Sequence, residues 1–303
     1  MGLLRRDGDE QTLPARCVLG RSANASIRLD DPRVSSEHAR ITWTGRTWEI
    51  RDLGSTNGTW VDGKRLEAGG QASLYQGVTL GFADPTCPWQ LADATGPLAC
   101  ARNLVEGTLH SAEDGLLGLP PGNEPRLVVY EDTDGRWVGE HDGEPGFVED
   151  GSIVVVAGSS WCLHLPTAND LTIDFSNAPL RLDQLQLSFA VSSDEEDVRM
   201  SVVHARGREA LKSRVHHYLL LVLARHRIED AKDGVETGEQ GWVYGDDLSR
   251  MLRIEEERLN VQIFRARKEL GELGVAGAAG LIERRKGSRK LRIGVRELSV
   301  ESM

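Results

Sequence analysis

The chain has 303 residues and a net charge of −11, from 36 Lys and Arg against 47 Asp and Glu, which is length enough for two or three domains with separate cores. No apolar run approaches the roughly 18 residues of a membrane helix, and residues 1–10 are charged, without the apolar stretch of an export signal. Four cysteines (Cys17, Cys87, Cys100, Cys162) lie far apart with no C-x-x-C pair, which argues against a zinc site or disulfide framework and for a reducing cytoplasm.

From the N-terminus, apolar residues alternate or cluster at 17–19, 27–29, 39–43, 48–52 and 59–61. Turn signals separate them at Asn24, Asp30-Asp31-Pro32, Gly45, Asn57-Gly58 and Asp62-Gly63. This spacing predicts a β-sandwich, which 78–81 and 89–91 would complete. Three strings stand in its turns: G-R-S at 20–22, S-S-E-H at 35–38 and D-L-G-S-T-N-G-T at 52–59. Asn57-Gly58 alone is only a hairpin signal.

Taken together and in this order, the three strings resemble the forkhead-associated (FHA) domain over residues 1–95. The resemblance implies an all-β sandwich whose end loops bind phosphothreonine peptides, the mark of a Ser/Thr kinase. A phosphate dianion needs several converging charge-assisted donors. Carried over to this chain, Arg21 would grip the phosphate, Ser35 and Thr56 would add donors, and Asn57 would hold the peptide backbone. Ser36 and Ser55 complete the expected phosphopeptide set, Ser36 with a shorter reach than many members have there. Gly20 and His38 match structural positions, with His38 bracing the Ser35 loop.

Residues 96–125 are rich in Gly and Pro and read as a short helix or loop at 99–104 followed by linker. Strands are predicted at 127–130, 136–140, 153–157 and 161–165. The span 96–180 is therefore a linker and small antiparallel β module, a structural spacer with no assigned ligand.

Further on, 182–191 and 198–204 alternate as two strands joined by an acidic turn. Leu211, Val215, Tyr218, Leu219, Val222 and Leu223 share one face of a helix expected over 208–228. A second helix is capped by Asp246 or Asp247, and a third places Glu255-Glu256-Glu257 at its positive end and runs to about 273. Residues 281–283 and 290–295 close as a hairpin. Charge divides along the chain: residues 1–207 balance at −14, whereas 241–296 hold 13 basic against 8 acidic residues.

Over 197–296 this order resembles the OmpR-type winged helix-turn-helix, carried by L-N-V-Q-I-F-R-A-R-K-E-L at 259–270. Leu259, Ile263, Ala266 and Leu270 form a stripe suited to the core. The resemblance implies that the opposite face enters a DNA major groove. Arg265 would read a guanine edge and Val261 a thymine methyl, while Arg267 and Lys268 would hold phosphates and Asn260 would lie at the edge. Phe264 faces either DNA or a neighbouring loop or subunit. Arg284, Arg285, Lys286 and Arg289 would form the wing.

No nucleophile, phosphate-loop or metal-protease motif appears, so neither enzyme activity nor a cofactor or metal is expected. His216 and His217 are adjacent and are expected to point to different helix faces. The chain thus reads as multidomain: an FHA sandwich (1–95), the β-rich middle module (96–180) and an α+β winged helix (181–303). The corresponding function is a cytoplasmic bacterial transcription regulator, gated by a phosphothreonine protein or Ser/Thr kinase and acting on duplex DNA. A homodimer is compatible with it, and no membrane is involved. The competing reading is a signalling adaptor whose winged helix binds protein.

Overall fold

A computed structural model describes residues 1–166 and 180–303, so the last part of the expected middle module, 167–179, lies outside the described residues. The described residues divide into two compact units. One comprises 1–111 with 149–155 and 159–166, the other 112–148 with 156–158 and 180–303.

The first unit begins with eleven strands: β1 (Leu3–Arg6), β2 (Asp9–Thr12), β3 (Arg16–Gly20), β4 (Ile27–Arg28), β5 (Ala39–Trp43), β6 (Trp48–Asp52), β7 (Thr59–Val61), β8 (Lys64–Arg65), β9 (Gln71–Leu74), β10 (Thr79–Phe82) and β11 (Trp89–Asp93). They form a six-stranded sheet, β2-β1-β11-β10-β7-β8, and a five-stranded sheet, β4-β3-β5-β6-β9. Alternation puts Cys17, Leu19, Ile41, Trp43, Trp48 and Ile50 inside, where they pack with Leu4, Leu80 and Leu91 into one core. The charged start, for which the sequence predicts no strand, is the hairpin β1–β2. Leu4 is fully buried, and β1 pairs with β11, so ladder bonds and two leucines outweigh the charge of its neighbours.

The middle segment is not one module. β12 (Cys100–Asn103), β13 (Leu109–Ser111), β14 (Leu117–Leu119), β15 (Leu127–Glu131), β16 (Trp137–His141), β17 (Glu144–Phe147), β18 (Ile153–Val156) and β19 (Ser159–His164) form two four-stranded sheets, β13-β12-β19-β18 and β14-β15-β16-β17. The second falls wholly in the second unit. Residues 99–104, read as helix or loop, contain β12, because pairing with β13 and β19 satisfies its backbone while Cys100 and Ala101 are buried.

Within the second unit, β20 (Leu180–Arg181) precedes β21 (Gln186–Val191), β22 (Val198–His204) and β23 (Gly207–Ala210). Helices α1 (Val215–Lys232), α2 (Gly245–Leu252) and α3 (Glu256–Glu272) follow, with β24 (Val243–Tyr244) before α2. The chain closes with β25 (Val275–Ala276), β26 (Ile282–Arg285), β27 (Lys290–Ile293) and β28 (Glu297–Ser302). Helix α1 starts seven residues later than expected. Residues 207–210 instead extend the β22 hairpin, with Gly207 at φ +144°, and Val215 is 78% exposed rather than on the inner face. The stripe Leu259, Ile263, Ala266 and Leu270 packs against Leu219, Leu223 and Phe189 in the core.

Candidate functional site

Three loops of the sandwich carry the motif residues, and hydrogen bonds tie them together. Arg21 follows β3, Ser35 and Ser36 lie between β4 and β5, and 55–57 lie between β6 and β7. The Arg21 and Ser22 amides donate to the carbonyls of Ser35 (3.0 Å) and Ser36 (3.1 Å). This approach demands Gly20, because a Cβ there would stand 2.1 Å from the Ser36 carbonyl oxygen. The Thr56 amide donates to Ser35 Oγ at 3.1 Å, and Asn57 Nδ2 donates to the Arg33 carbonyl at 2.7 Å.

His38 braces this frame from beneath. Its Nδ1 accepts from the Ser35 amide at 3.2 Å, so the proton sits on Nε2, which donates to the Gly58 carbonyl at 2.9 Å. Burial holds the ring below the ordinary imidazole range, against the opposing pull of the Gly58 carbonyl and the Asp52 charge. Asp52 organises the third loop. Burial pushes its carboxyl up, but bonds from Ser55 Oγ (2.6 Å), Thr59 Oγ1 (2.6 Å) and the Ser55 and Gly54 amides outweigh that and hold it low.

One expected contact is thereby corrected. The Ser55 hydroxyl donates to Asp52 and accepts from the Gly58 amide at 3.0 Å, so it is an internal brace with no donor left for a phosphate. Arg21, Ser36, Thr56 and Asn57 are exposed and Ser35 is half-buried. Arg21 Nε donates to the Val34 carbonyl at 3.3 Å, and among the described residues no carboxylate pairs with its guanidinium. The arrangement therefore offers an unneutralised guanidinium beside hydroxyls on a braced frame, which suits a tetrahedral dianion.

Sequence reasoning missed Arg33. Its guanidinium bridges Asp31 (2.8 Å) and Asp84 (2.8 Å), fastening the Ser35 loop to the end of β10. Arg33 and Val34 also line a cavity of about 420 Å³ with Arg6, Phe82 and Trp89. Only the Asp31/Arg33 spacing hinted at the clamp; Asp84 belongs to no motif.

The residues expected to meet DNA lie together on α3 and the β26–β27 hairpin, and those on α3 are largely covered. The sheet β14–β17 packs over this face, with Phe264 joining Leu116, Val128, Tyr130 and Val138 in a small apolar cluster. Val261 and Phe264 are buried, and Arg267 is 1% exposed. Arg267 donates to Glu140 Oε2 (3.0 Å) and the Ile282 carbonyl (2.7 Å), and its guanidinium lies 4.8 Å from the centre of the Tyr130 ring. Arg284 donates to Glu140 Oε1 (2.6 Å) and Asn260 Oδ1 (2.7 Å). Burial raises the Glu140 carboxyl, yet the two guanidiniums overcome it and hold the group low.

The outer cations are paired as well: Arg265 with Glu124 (3.1 Å), Lys268 with Glu113 (2.8 Å) and Arg289 with Glu144 (2.9 Å). Lys286 stands over the Phe147 ring at 4.4 Å. Arg285 pairs with Glu239, outside this sheet. The expectation of a solvent-facing recognition surface is thus corrected: in this conformation the chain's own sheet occupies it, and the middle segment is no mere spacer.

His216 and His217 do not point apart. Both place Nε2 2.7 Å from Glu269 Oε2, one from each of two successive positions at the start of α1, and Glu269 lies on α3. The three ligating atoms lie within 4.8 Å of one another, a set a metal ion could use. As found, they form a hydrogen-bonded lock between helices.

Residues 17–83 match the family model described as FHA domain, and the first unit therefore carries an FHA domain. Among curated proteins, the FHA domain-containing protein FhaB of Mycobacterium tuberculosis is 33% identical over 64 residues, which is 21% of this chain and 41% of FhaB. The chain thus spans less than half the length of that relative. Among solved structures, the FhaA FHA domain complexed with an intracellular domain is similar at 28% identity and a TM-score of 0.27, over 30% of this chain and 98% of that one. Mycobacterium tuberculosis EmbR, in complex with a low affinity phosphopeptide, is similar at 29% identity and a TM-score of 0.28, over 31% of this chain and 25% of EmbR. Among the described residues, no helix is long and apolar enough to cross a membrane.

Proposed function

We propose that the chain is a non-enzymatic signalling protein that reads phosphothreonine through its FHA domain and regulates transcription through its second unit. The observation that carries the first part is the frame of Ser35, His38 and Thr56 with Arg21 at its rim, which no carboxylate neutralises among the described residues. Arg21, Ser35, Ser36 and Thr56 take the phosphate, and Asn57 takes the flanking peptide backbone. The partner is a threonine-phosphorylated protein or the Ser/Thr kinase itself, in a bacterial cytoplasm.

For the second part, the order of sheet, three helices and hairpin supports a winged helix, and Arg265, Lys268 and Arg289 are cations suited to duplex DNA. The adaptor reading is favoured by a different observation, the burial of Val261, Phe264 and Arg267 against protein.

Calorimetric titration of a phosphothreonine peptide library tests the first part. Arg21→Ala should weaken binding by about tenfold or more, the loss of a charge-assisted bond worth about 1.5–3 kcal/mol, and an unphosphorylated library should not bind. Equal affinity for both libraries would end the reading. A genomic-DNA pull-down read by sequencing, beside Arg265→Ala, tests the second part.

A further inference from the structure

The sheet that covers α3 is chemically unlike a spacer. Residues 112–148 carry nine acidic and two basic side chains, against the basic balance of the segment they cover. Their carboxylates meet the cations: Glu113 with Lys268, Glu124 with Arg265 and Arg258, Glu144 with Arg289, and Glu140 between Arg267 and Arg284. Carboxylates on two strands of the sheet (Glu140, Glu144) and on the segments flanking β14 (Glu113, Glu124) here supply what phosphates would supply from a duplex.

We infer that the sheet β14–β17 is a built-in competitor for a polyanionic ligand, closing the basic face of α3 and the β26–β27 hairpin until it is displaced. This rests on the DNA reading above. The contact has two zones. The outer pairs join side chains that are largely exposed, Glu113, Glu124 and Glu144 at 66%, 57% and 58%, so water and salt weaken them. The inner zone is Phe264 with the Arg267–Glu140–Arg284 bridge. In it, Arg267 and Arg284 each keep a partner in their own element group, the Ile282 carbonyl and Asn260, when the sheet leaves.

Gly271 provides a way to loosen the contact without touching a charge. A Cβ at this position would stand 2.5 Å from Asp114 Cβ and 3.1 Å from the Asp114 carbonyl oxygen, so the turn before β14 must retreat from α3. Alanine is at the same time the better helix former, so α3 itself should be preserved.

Duplex DNA binding by the full chain, followed by fluorescence anisotropy over a range of salt, tests the inference. The variants are Gly271→Ala and the neutral triple Glu113→Gln/Glu124→Gln/Glu144→Gln, with helix content checked by circular dichroism. Both should bind tenfold or more tightly than the parent. The log–log salt slope should steepen by about 0.9 for each cation released to a phosphate, approaching 3 for Arg265, Lys268 and Arg289 together. Amine labelling of Lys268 should rise in Gly271→Ala without DNA, which reports opening by itself. Parent and variants binding with equal affinity and slope would overturn the competitor while leaving the DNA reading intact. No binding by any of them, with Lys268 labelling raised, would overturn the DNA reading and the competitor with it.

Discussion

Arg267 and Glu140, 127 residues apart in sequence, form an ion pair in which both side chains are buried, 1% and 5% exposed. Two charges out of water are tolerable only because Arg284, Tyr130 and the Ile282 carbonyl fill most of the remaining hydrogen-bonding positions. Glu140→Ala should therefore lower unfolding stability by about 3–5 kcal/mol, the range for a buried charge stripped of its partner. Glu140→Gln, which keeps an acceptor, should cost less. Guanidinium denaturation of both variants checks the order; an alanine variant within about 1 kcal/mol of the parent would mean the pair is exposed in solution.

Ser36 and Ser55 stand in neighbouring loops with opposite tasks. Ser55→Ala takes one bond from Asp52 and one from the Gly58 amide, and should reduce stability by about 1–3 kcal/mol. Ser36→Ala should leave the melting temperature unmoved and weaken phosphopeptide binding. Thermal unfolding and calorimetric titration on the two variants separate these effects, and the opposite pattern would reverse the roles.

Removing the His38 ring leaves the half-buried Ser35 amide without its partner and the Gly58 carbonyl with only the Ala83 amide. His38→Ala should cost about 1–3 kcal/mol and abolish phosphopeptide binding, although the ring is not placed to touch the peptide. Amide exchange at Ser35 should rise in the variant.

The lock of His216, His217 and Glu269 makes the second unit acid-sensitive. Burial raises the Glu269 carboxyl, but the bonds from both histidines prevail and bring it down to about 2. A carboxyl held below its unfolded value stabilises the fold above about pH 4.5 and loses that contribution as pH falls towards 2, at most about 3 kcal/mol. Glu269→Gln should flatten the stability profile between those limits. An unchanged profile would show that Glu269 has its ordinary acidity.

The parts legible in sequence are those whose chemistry is local. Gly20-Arg21, Ser35–His38 and Asp52–Thr59 are short strings, so the three loops and the structural parts of Gly20 and His38 could be read directly, and the inner stripe of α3 followed from helical spacing. Ser55 was misjudged because its Asp52 partner lies in the same string and gives no outward sign. The hairpin β1–β2 was hidden by charge, and residues 207–210 looked helical because β22 supplies their pairing from outside the window. Of the covering of α3, only the contact of Phe264 with a neighbouring protein segment could be read, as one of two alternatives. Lys268 and Glu113 are 155 residues apart, and each looks locally like ordinary solvated surface.

The path of the chain bears on its synthesis. Residues 112–148 leave the ribosome well before α3, so Leu116, Val128, Tyr130 and Val138 wait for Phe264. More than a hundred residues at about 5–20 per second amount to a delay on the order of 10 s. During that interval an apolar, acidic sheet stands without its counterpart, and the first unit also lacks its closing segment until 149–166 emerge. A nascent chain arrested within α1 should consequently be bound by holdase chaperones at this sheet, and released once α3 has been made.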